Sequence, residues 1–242
     1  EKVLLGQNPD WVIVVGDVNA TLACSVVAKK LNIKICHIEA GLRSGDMTMP
    51  EEINRLVTDR LSDLLFTPDR ISSDNLRKEG TPEEKIAFVG NIMIDTLEAN
   101  RERSEKLDIN SIIESNLIDG VRQPKKIHAG SGYALMTLHR PSNVDSKETF
   151  VPLIRFLLDE VTKDQPLIWV IHPRARKQLD TFGLWNDVVN RPSLILLEPV
   201  VYHEMVRLNM GAKVMLTDSG GLQEECCVLG TPCLTLRWNT ER

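Results

Sequence analysis

Residues 213–229, KVMLTDSGGLQEECCVL, run from a short apolar stretch into an acid, a hydroxyl and two adjacent glycines, then directly into helix-forming residues. The spacing predicts a strand, a tight turn over Ser219-Gly220-Gly221 and a helix. Such a turn leaves several N–H groups at the helix start without intrahelical partners, and the missing Cβ atoms let an anion approach closely. The helix dipole adds partial positive charge at the same place. Glu225 follows Gly221 by four residues and projects from the same helical face one turn on, where a carboxylate can accept both hydroxyl hydrogens of a ribose diol. The plainer reading is a strand-to-helix turn with Ser219 as its cap.

The same unit recurs along the chain. WVIVV, IKICHI, LLFT, IAFVG, YALMTL, LIWVI and LILL are short, apolar and rich in Val, Ile and Leu, and amphipathic segments of about ten or more residues follow most of them. Strand–helix alternation of this kind implies parallel sheets covered by helices, with strands buried on both faces. The rhythm breaks at residues 119–132, DGVRQPKKIHAGSG, which reads as a connection between domains. The expected organisation is therefore α/β, an N-terminal Rossmann-like domain over 1–122 and a C-terminal one over 123–242. Ligands are expected outside the carboxyl ends of the strands. About four strands in the first half is a lean count for a doubly wound sheet, and the sequence reads as a fragment of a longer protein.

Composition narrows the ligand class. The 242 residues are 42% hydrophobic and 26% charged, with a net charge of −5, which disfavours general binding to nucleic acid or to anionic membranes. An anionic ligand must be held by a local site. No apolar run is long enough to span a bilayer and the N-terminus does not read as a signal peptide, so a cytoplasmic protein is expected. Five cysteines without a C-x-x-C spacing read as mostly buried, reduced thiols. GSGYAL (130–135) precedes a strand instead of following one, so it is not a dinucleotide fingerprint. HEMVR (203–207) has Arg207 where a zinc helix needs its second histidine and reads as a surface helix with a capping charge. No metal cluster is expected, so the chemistry must come from carboxylates, histidine and backbone.

Acids occur where chemistry would need them. In VVGDVNATLA (14–23), Asp17 follows a strand and precedes a helix expected to be capped by Asn19 or Thr21. In CHIEAGLRSGD (36–46), Glu39 ends the next strand, and MPEEINR (49–55) brings Glu51 and Glu52 to a helix start. Each could be merely a capping feature. Together, clustered carboxylates can supply a neutral acid and a charged base near pH 7. In MTLHRPSN (136–143), His139 and Arg140 end a strand and Pro141 redirects the backbone. His172 in VIHPRAR is a rival, whereas His37, between apolar neighbours, reads as a satisfied core histidine.

GDVNATLA, HIEAGLRSGDMTMPEEINR, TLHRPSN and LTDSGGLQEE…LGTPCLTLRWNTER, in that order, resemble the non-hydrolysing UDP-N-acetylglucosamine 2-epimerase family. The resemblance implies a glycosyltransferase-B-like pair of Rossmann-like domains with the first incomplete, a homodimer, and interconversion of UDP-GlcNAc and UDP-ManNAc without metal or redox cofactor. It implies loss of the C2 proton with departure of UDP from C1, a bound 2-acetamidoglucal, and re-addition with a proton returned to the opposite face. By matching positions it implies acid/base roles for Asp17, Glu39 and Glu51 and assistance to the departing diphosphate by His139. It further implies substrate contacts from Arg140, phosphate binding by Ser219, Gly220 and Gly221, ribose binding by Glu225 and a pyrophosphate contact from Arg242. This chain departs from the family pattern in lacking its first strand and Gly-Thr-Arg-Pro-Glu turn, and in carrying Met205 where an aromatic residue near the base is common. A hydrolysing relative that releases UDP and ManNAc, a glycosyltransferase of like architecture and a non-catalytic nucleotide-sugar-binding protein are the alternatives.

Overall fold

The computed structural model describes residues 1–121, 126–128 and 132–241. Its contacts divide the chain into two compact units, Glu1–Ile92 with the residues from Asn239 on, and Met93–Trp238. The division falls at 92/93, not at 122/123 where composition changes. Part of the expected connection, 122–125 and 129–131, lies outside the described residues.

The first unit holds β1 (Trp11–Val15), β2 (Lys34–Ile38), β3 (Leu64–Thr67) and β4 (Ile86–Phe88), all parallel and in the order β1-β2-β3-β4. α1 (Lys2–Gln7) precedes β1, and α2 (Asn19–Lys30), α3 (Pro50–Leu61) and α4 (Arg70–Lys78) lie between successive strands. Val14 packs with Ala28, Ile33 and Ile35 beneath α2, and Ala40, Leu65 and Leu76 form a second small cluster. Along β1 the alternate residues Trp11, Ile13 and Val15 are exposed and Val14 between them is buried.

The second unit opens with α5 (Ile92–Glu105), whose first residue belongs to the first unit, and α6 (Ile109–Asn116). Its strands are β5 (Ala134–Thr137), β6 (Leu167–Val170), β7 (Leu194–Leu197), β8 (Val214–Thr217) and β9 (Cys233–Thr235), parallel in the order β7-β6-β5-β8-β9. The helices are α7 (Pro141–Val144), α8 (Lys147–Phe156) running through a π-turn over Leu157–Val161 into α9 (Thr162–Asp164), α10 (Pro173–Thr181), α11 (Trp185–Val189), α12 (Tyr202–Gly211) and α13 (Gly220–Leu229). Strands β5, β6 and β7 are buried along their whole length. Ala134, Met136 and Trp169 enter one core with Phe150, while Leu135, Ile168 and Ile195 enter another with Ile112 and Ile113 of α6. That burial carries α6 into the second unit and sets the division before it.

The strand order reverses at β5: β6 and β7 extend to one side, β8 and β9 to the other. Helices can then cover both faces, and the crevice at the reversal is where such sheets bind ligands. Thr137 and Thr217 are paired across β5 and β8, their hydroxyls 2.7 Å apart, so His139 and Ser219 leave the sheet at the same level.

Candidate functional site

In the first unit the carboxyl ends of β1 and β2 carry the expected acids. Gly16 and Glu39 both have positive φ, 66° and 75°. For Glu39 this left-handed backbone costs about 1–3 kcal/mol and persists only where the surroundings hold it. A Cβ on Gly16 would come within 3.3 Å of Glu39 Oε2, so the glycine leaves room for that carboxylate beside the turn that bears Asp17. Asp17 does not cap α2. Neither do Asn19 and Thr21: the N-cap position is Val18, and Thr21 lies inside the helix with its hydroxyl donating to Val15 O at 2.7 Å.

Asp17 is instead held from α3. Arg55 donates to Asp17 Oδ2 through Nε at 3.0 Å and Nη2 at 2.8 Å, and to Glu52 Oε2 through Nη1 at 2.7 Å. The Arg55 side chain is only 2% exposed. Asn54 donates to Asp17 O and to Asn19 Oδ1. Glu51 stands in the first turn of the same helix, one turn ahead of Arg55. Glu52 serves a different purpose from Glu51. Burial alone would raise its pKa, but hydrogen bonds from Ser44 N, Gly45 N, the Ser44 hydroxyl and Arg55 outweigh burial and hold it below the usual carboxylate range. It orders the 44–45 loop.

A second buried pair supports the same turns. His37 is fully buried, with Nδ1 at 2.6 Å from Asp59 Oδ1 and Nε2 at 2.9 Å from Gly16 O. Asp59 also accepts from Gly41 N at 3.0 Å and pairs with Arg43 at 2.8 Å. His37 is the satisfied core histidine expected from its neighbours, and it ties the Gly16 turn to the Gly41 turn.

In the second unit Ser219 occupies the N-cap position of α13 without a capping hydrogen bond from its side chain, against the plainer reading of this turn. Ser219 N donates to Thr217 Oγ1 at 3.0 Å, which shapes the turn before the helix begins. The first N–H groups of α13 have no intrahelical acceptor. Glu225 is buried one turn into the helix, and its Oε2 has no hydrogen-bond partner among the described residues. Burial pushes the Glu225 carboxyl up; the Tyr202 hydroxyl opposes this and neighbouring Glu224 adds to it.

His139 leaves β5 beside this turn with its side chain 36% exposed, and its Nδ1 lies 2.8 Å from Asp218 Oδ1. Arg140 follows at the N-cap of α7. The rival His172 is committed elsewhere: its Nδ1 accepts from Arg174 N at 3.1 Å and caps α10. Burial, then the nearby charges of His139 and Arg174, lower its pKa. Arg242 lies outside the described residues, and Met205 packs, partly buried, against the second unit's core. On α12 Glu204 accepts from Val201 N, the capping charge expected of HEMVR. Among the cysteines, Cys24 and Cys227 are exposed, contrary to the expectation of burial, because each falls on the outer face of its helix. No described helix is long and apolar enough to cross a membrane.

The family model described as UDP-N-acetylglucosamine 2-epimerase matches residues 1–242. The UDP-N-acetylglucosamine 2-epimerase of Methanocaldococcus jannaschii is 43% identical over 244 residues, covering 100% of this chain and 64% of that protein. Its crystal structure in complex with UDP-GlcNAc and UDP superposes with a TM-score of 0.87, covering 100% of this chain and 64% of that one. The Neisseria meningitidis enzyme bound to UDP-GlcNAc gives 0.83 at 31% identity, covering 100% and 63%. A UDP-2,3-diacetamido-2,3-dideoxy-D-glucuronate 2-epimerase of Pseudomonas aeruginosa is 37% identical, covering 100% of this chain and 62% of the relative. The chain thus spans somewhat under two thirds of the length of these relatives.

Proposed function

The chain belongs to the UDP-N-acetylglucosamine 2-epimerase family, and from that premise we propose that the protein interconverts UDP-GlcNAc and UDP-ManNAc. The observation that carries this reading is Glu225 Oε2, a buried carboxylate oxygen without a hydrogen-bond partner among the described residues, one turn along a helix whose glycine start offers N–H groups to a phosphate. A ribose diol and a diphosphate are the chemistry those two features accept together.

The roles divide between the units. In the first, one carboxylate among Asp17, Glu39 and Glu51 takes the C2 proton while the C1–O bond breaks and UDP leaves with the bonding pair, giving 2-acetamidoglucal. A UDP oxygen then re-forms the C1–O bond, and a second carboxylic acid delivers a proton to the opposite face of C2. In the second, Ser219, Gly220 and Gly221 receive the diphosphate with fixed N–H dipoles where leaving-group charge develops, His139 assists, and Arg140 and Arg242 add positive charge. A cytoplasmic homodimer is part of the same proposal, and sedimentation of the full-length protein would check its dimeric part.

The test is to incubate the full-length protein with UDP-GlcNAc in deuterated water. Deuterium at C2 of recovered UDP-ManNAc is the expected result. Free ManNAc with UDP would establish hydrolysis instead, and UDP binding without turnover would leave a nucleotide-sugar-binding protein. If only a 3-acetamido uronate analogue turns over, the substrate assignment moves to the chemistry of the Pseudomonas relative.

A further inference from the structure

Asp218 stands where an acid is electrostatically awkward. It is fully buried, and it immediately precedes the Ser219–Gly221 turn assigned to the diphosphate. It gathers four donor groups: His139 N at 3.0 Å, Arg140 N at 2.8 Å, Asn143 Nδ2 at 3.0 Å and His139 Nδ1 at 2.8 Å. Burial would raise its pKa, but His139 and the other donors outweigh this and hold it below the ordinary range. An ionised carboxylate only accepts, so the proton between the two side chains belongs to His139 Nδ1. That leaves Nε2 as the ring's edge toward a ligand. The titratable and charged groups facing the ring are Asp218 itself and His172, whose ring centroid is 5.6 Å away with Arg174 behind it.

Resting on the epimerase reading, we propose that Asp218 is a positioning residue: it holds His139 by Nδ1–H, so that a doubly protonated ring presents Nε2–H to the departing diphosphate. The carboxylate and the diphosphate then flank one imidazolium, and each stabilises its charge. Asp218 touches neither substrate nor reacting atoms. Its negative charge beside the phosphate turn weakens the resting affinity for UDP, and of the groups that answer that charge only the histidine ring carries a full positive charge of its own.

A carboxylate that merely staples the loop over 139–143 makes a different prediction, so the two can be separated. In the full-length protein, D218N is expected to lower kcat on the order of 10²-fold or more while UDP affinity stays equal or rises. The double variant H139A/D218N is expected to be no slower than H139A, because the two residues act as one unit. Effects that multiply in the double variant, or turnover and UDP affinity that fall together in D218N, would overturn the proposal. Should D218N fail to fold, the ¹⁵N resonances of the His139 ring in the wild-type UDP complex decide. Protons on both nitrogens support the assignment, and a bare Nε2 sinks it. Wild-type protein that exchanges no C2 hydrogen in deuterated water overturns the epimerase reading instead, and the ring spectrum alone then judges the role of Asp218.

Discussion

The two units carry charge in opposite manners at the carboxyl edges of their parallel sheets. The first unit presents acids at its strand ends and answers one of them, Asp17, with a buried cation, Arg55, reaching in from α3. The second presents N–H dipoles at a helix start and buries Asp218 against His139. Proton transfer needs carboxylates held at the right point between charged and neutral; receiving a diphosphate needs positive ends fixed in advance. The strand–turn–helix unit serves both purposes. What differs is the few residues at the turn and the one side chain that compensates them.

The largest effects expected from this contrast are kinetic. Asp17→Asn or Glu39→Gln should lower kcat by about 10²–10⁴-fold with UDP affinity little changed, whereas Glu225→Ala should act mainly on UDP affinity. Calorimetry with UDP beside turnover assays checks the split, and normal turnover in either acid variant would remove that residue from the reaction.

Next comes Arg55→Met. It leaves Asp17 and the buried Glu52 without their cation and should destabilise the first unit by about 3–5 kcal/mol. The second unit should be spared. Trp11 reports the first unit and Trp169 and Trp185 the second, so denaturant unfolding followed with single-tryptophan variants would show whether the loss is confined.

Gly41→Ala should cost about 2–4 kcal/mol in the same unit. Gly41 has φ 84°, and a Cβ there would lie 2.4 Å from Ser72 O. Gly45, with positive φ but nothing within 4 Å of the added atom, should lose less on the same change. Equal losses at the two positions would mean that backbone conformation alone matters and the close approach does not.

The smallest effect separates the units by pH. Glu52 and Asp218 both titrate below the usual carboxylate range, so the stability each contributes is present above the unfolded pKa, about 4, and is lost as pH falls through the folded value. Glu52→Gln should flatten the acid limb of the first unit's stability, and Asp218→Asn that of the second. Thermal melts between neutrality and pH 3 would reveal either change, and an unchanged acid limb would deny the group a stabilising role.

Much of the site was readable as local pattern. A short continuous apolar run giving way to polar or glycine residues marks the carboxyl end of a buried strand, and Asp17, Glu39, His139 and Ser219–Gly221 all lie just past such ends. The compensating residues were not readable. Arg55 meets Asp17 across 38 residues and Asp218 meets His139 across 79, with no local periodicity to announce either contact. The pattern of MPEEINR brought Glu51 and Glu52 to a helix start as equals, and only packing made Glu52 a loop anchor. The cap of α2 failed for a similar reason: Thr21 found the Val15 carbonyl, and the helix began one residue after Val18 without a side-chain cap.

The order of apolar runs and turn residues by itself determined that the chain forms parallel sheets with acids, a histidine and a glycine turn at their carboxyl edges, because hydrophobic periodicity and glycine's conformational freedom act over a few residues. Which sheet claims α6, where the strand order reverses, and which buried charge answers Asp17 or His139 were decided only by the tertiary structure. Burial and ion pairing depend on distance in space, and the chain brings residues far apart in sequence to within hydrogen-bonding reach only once both sheets have formed.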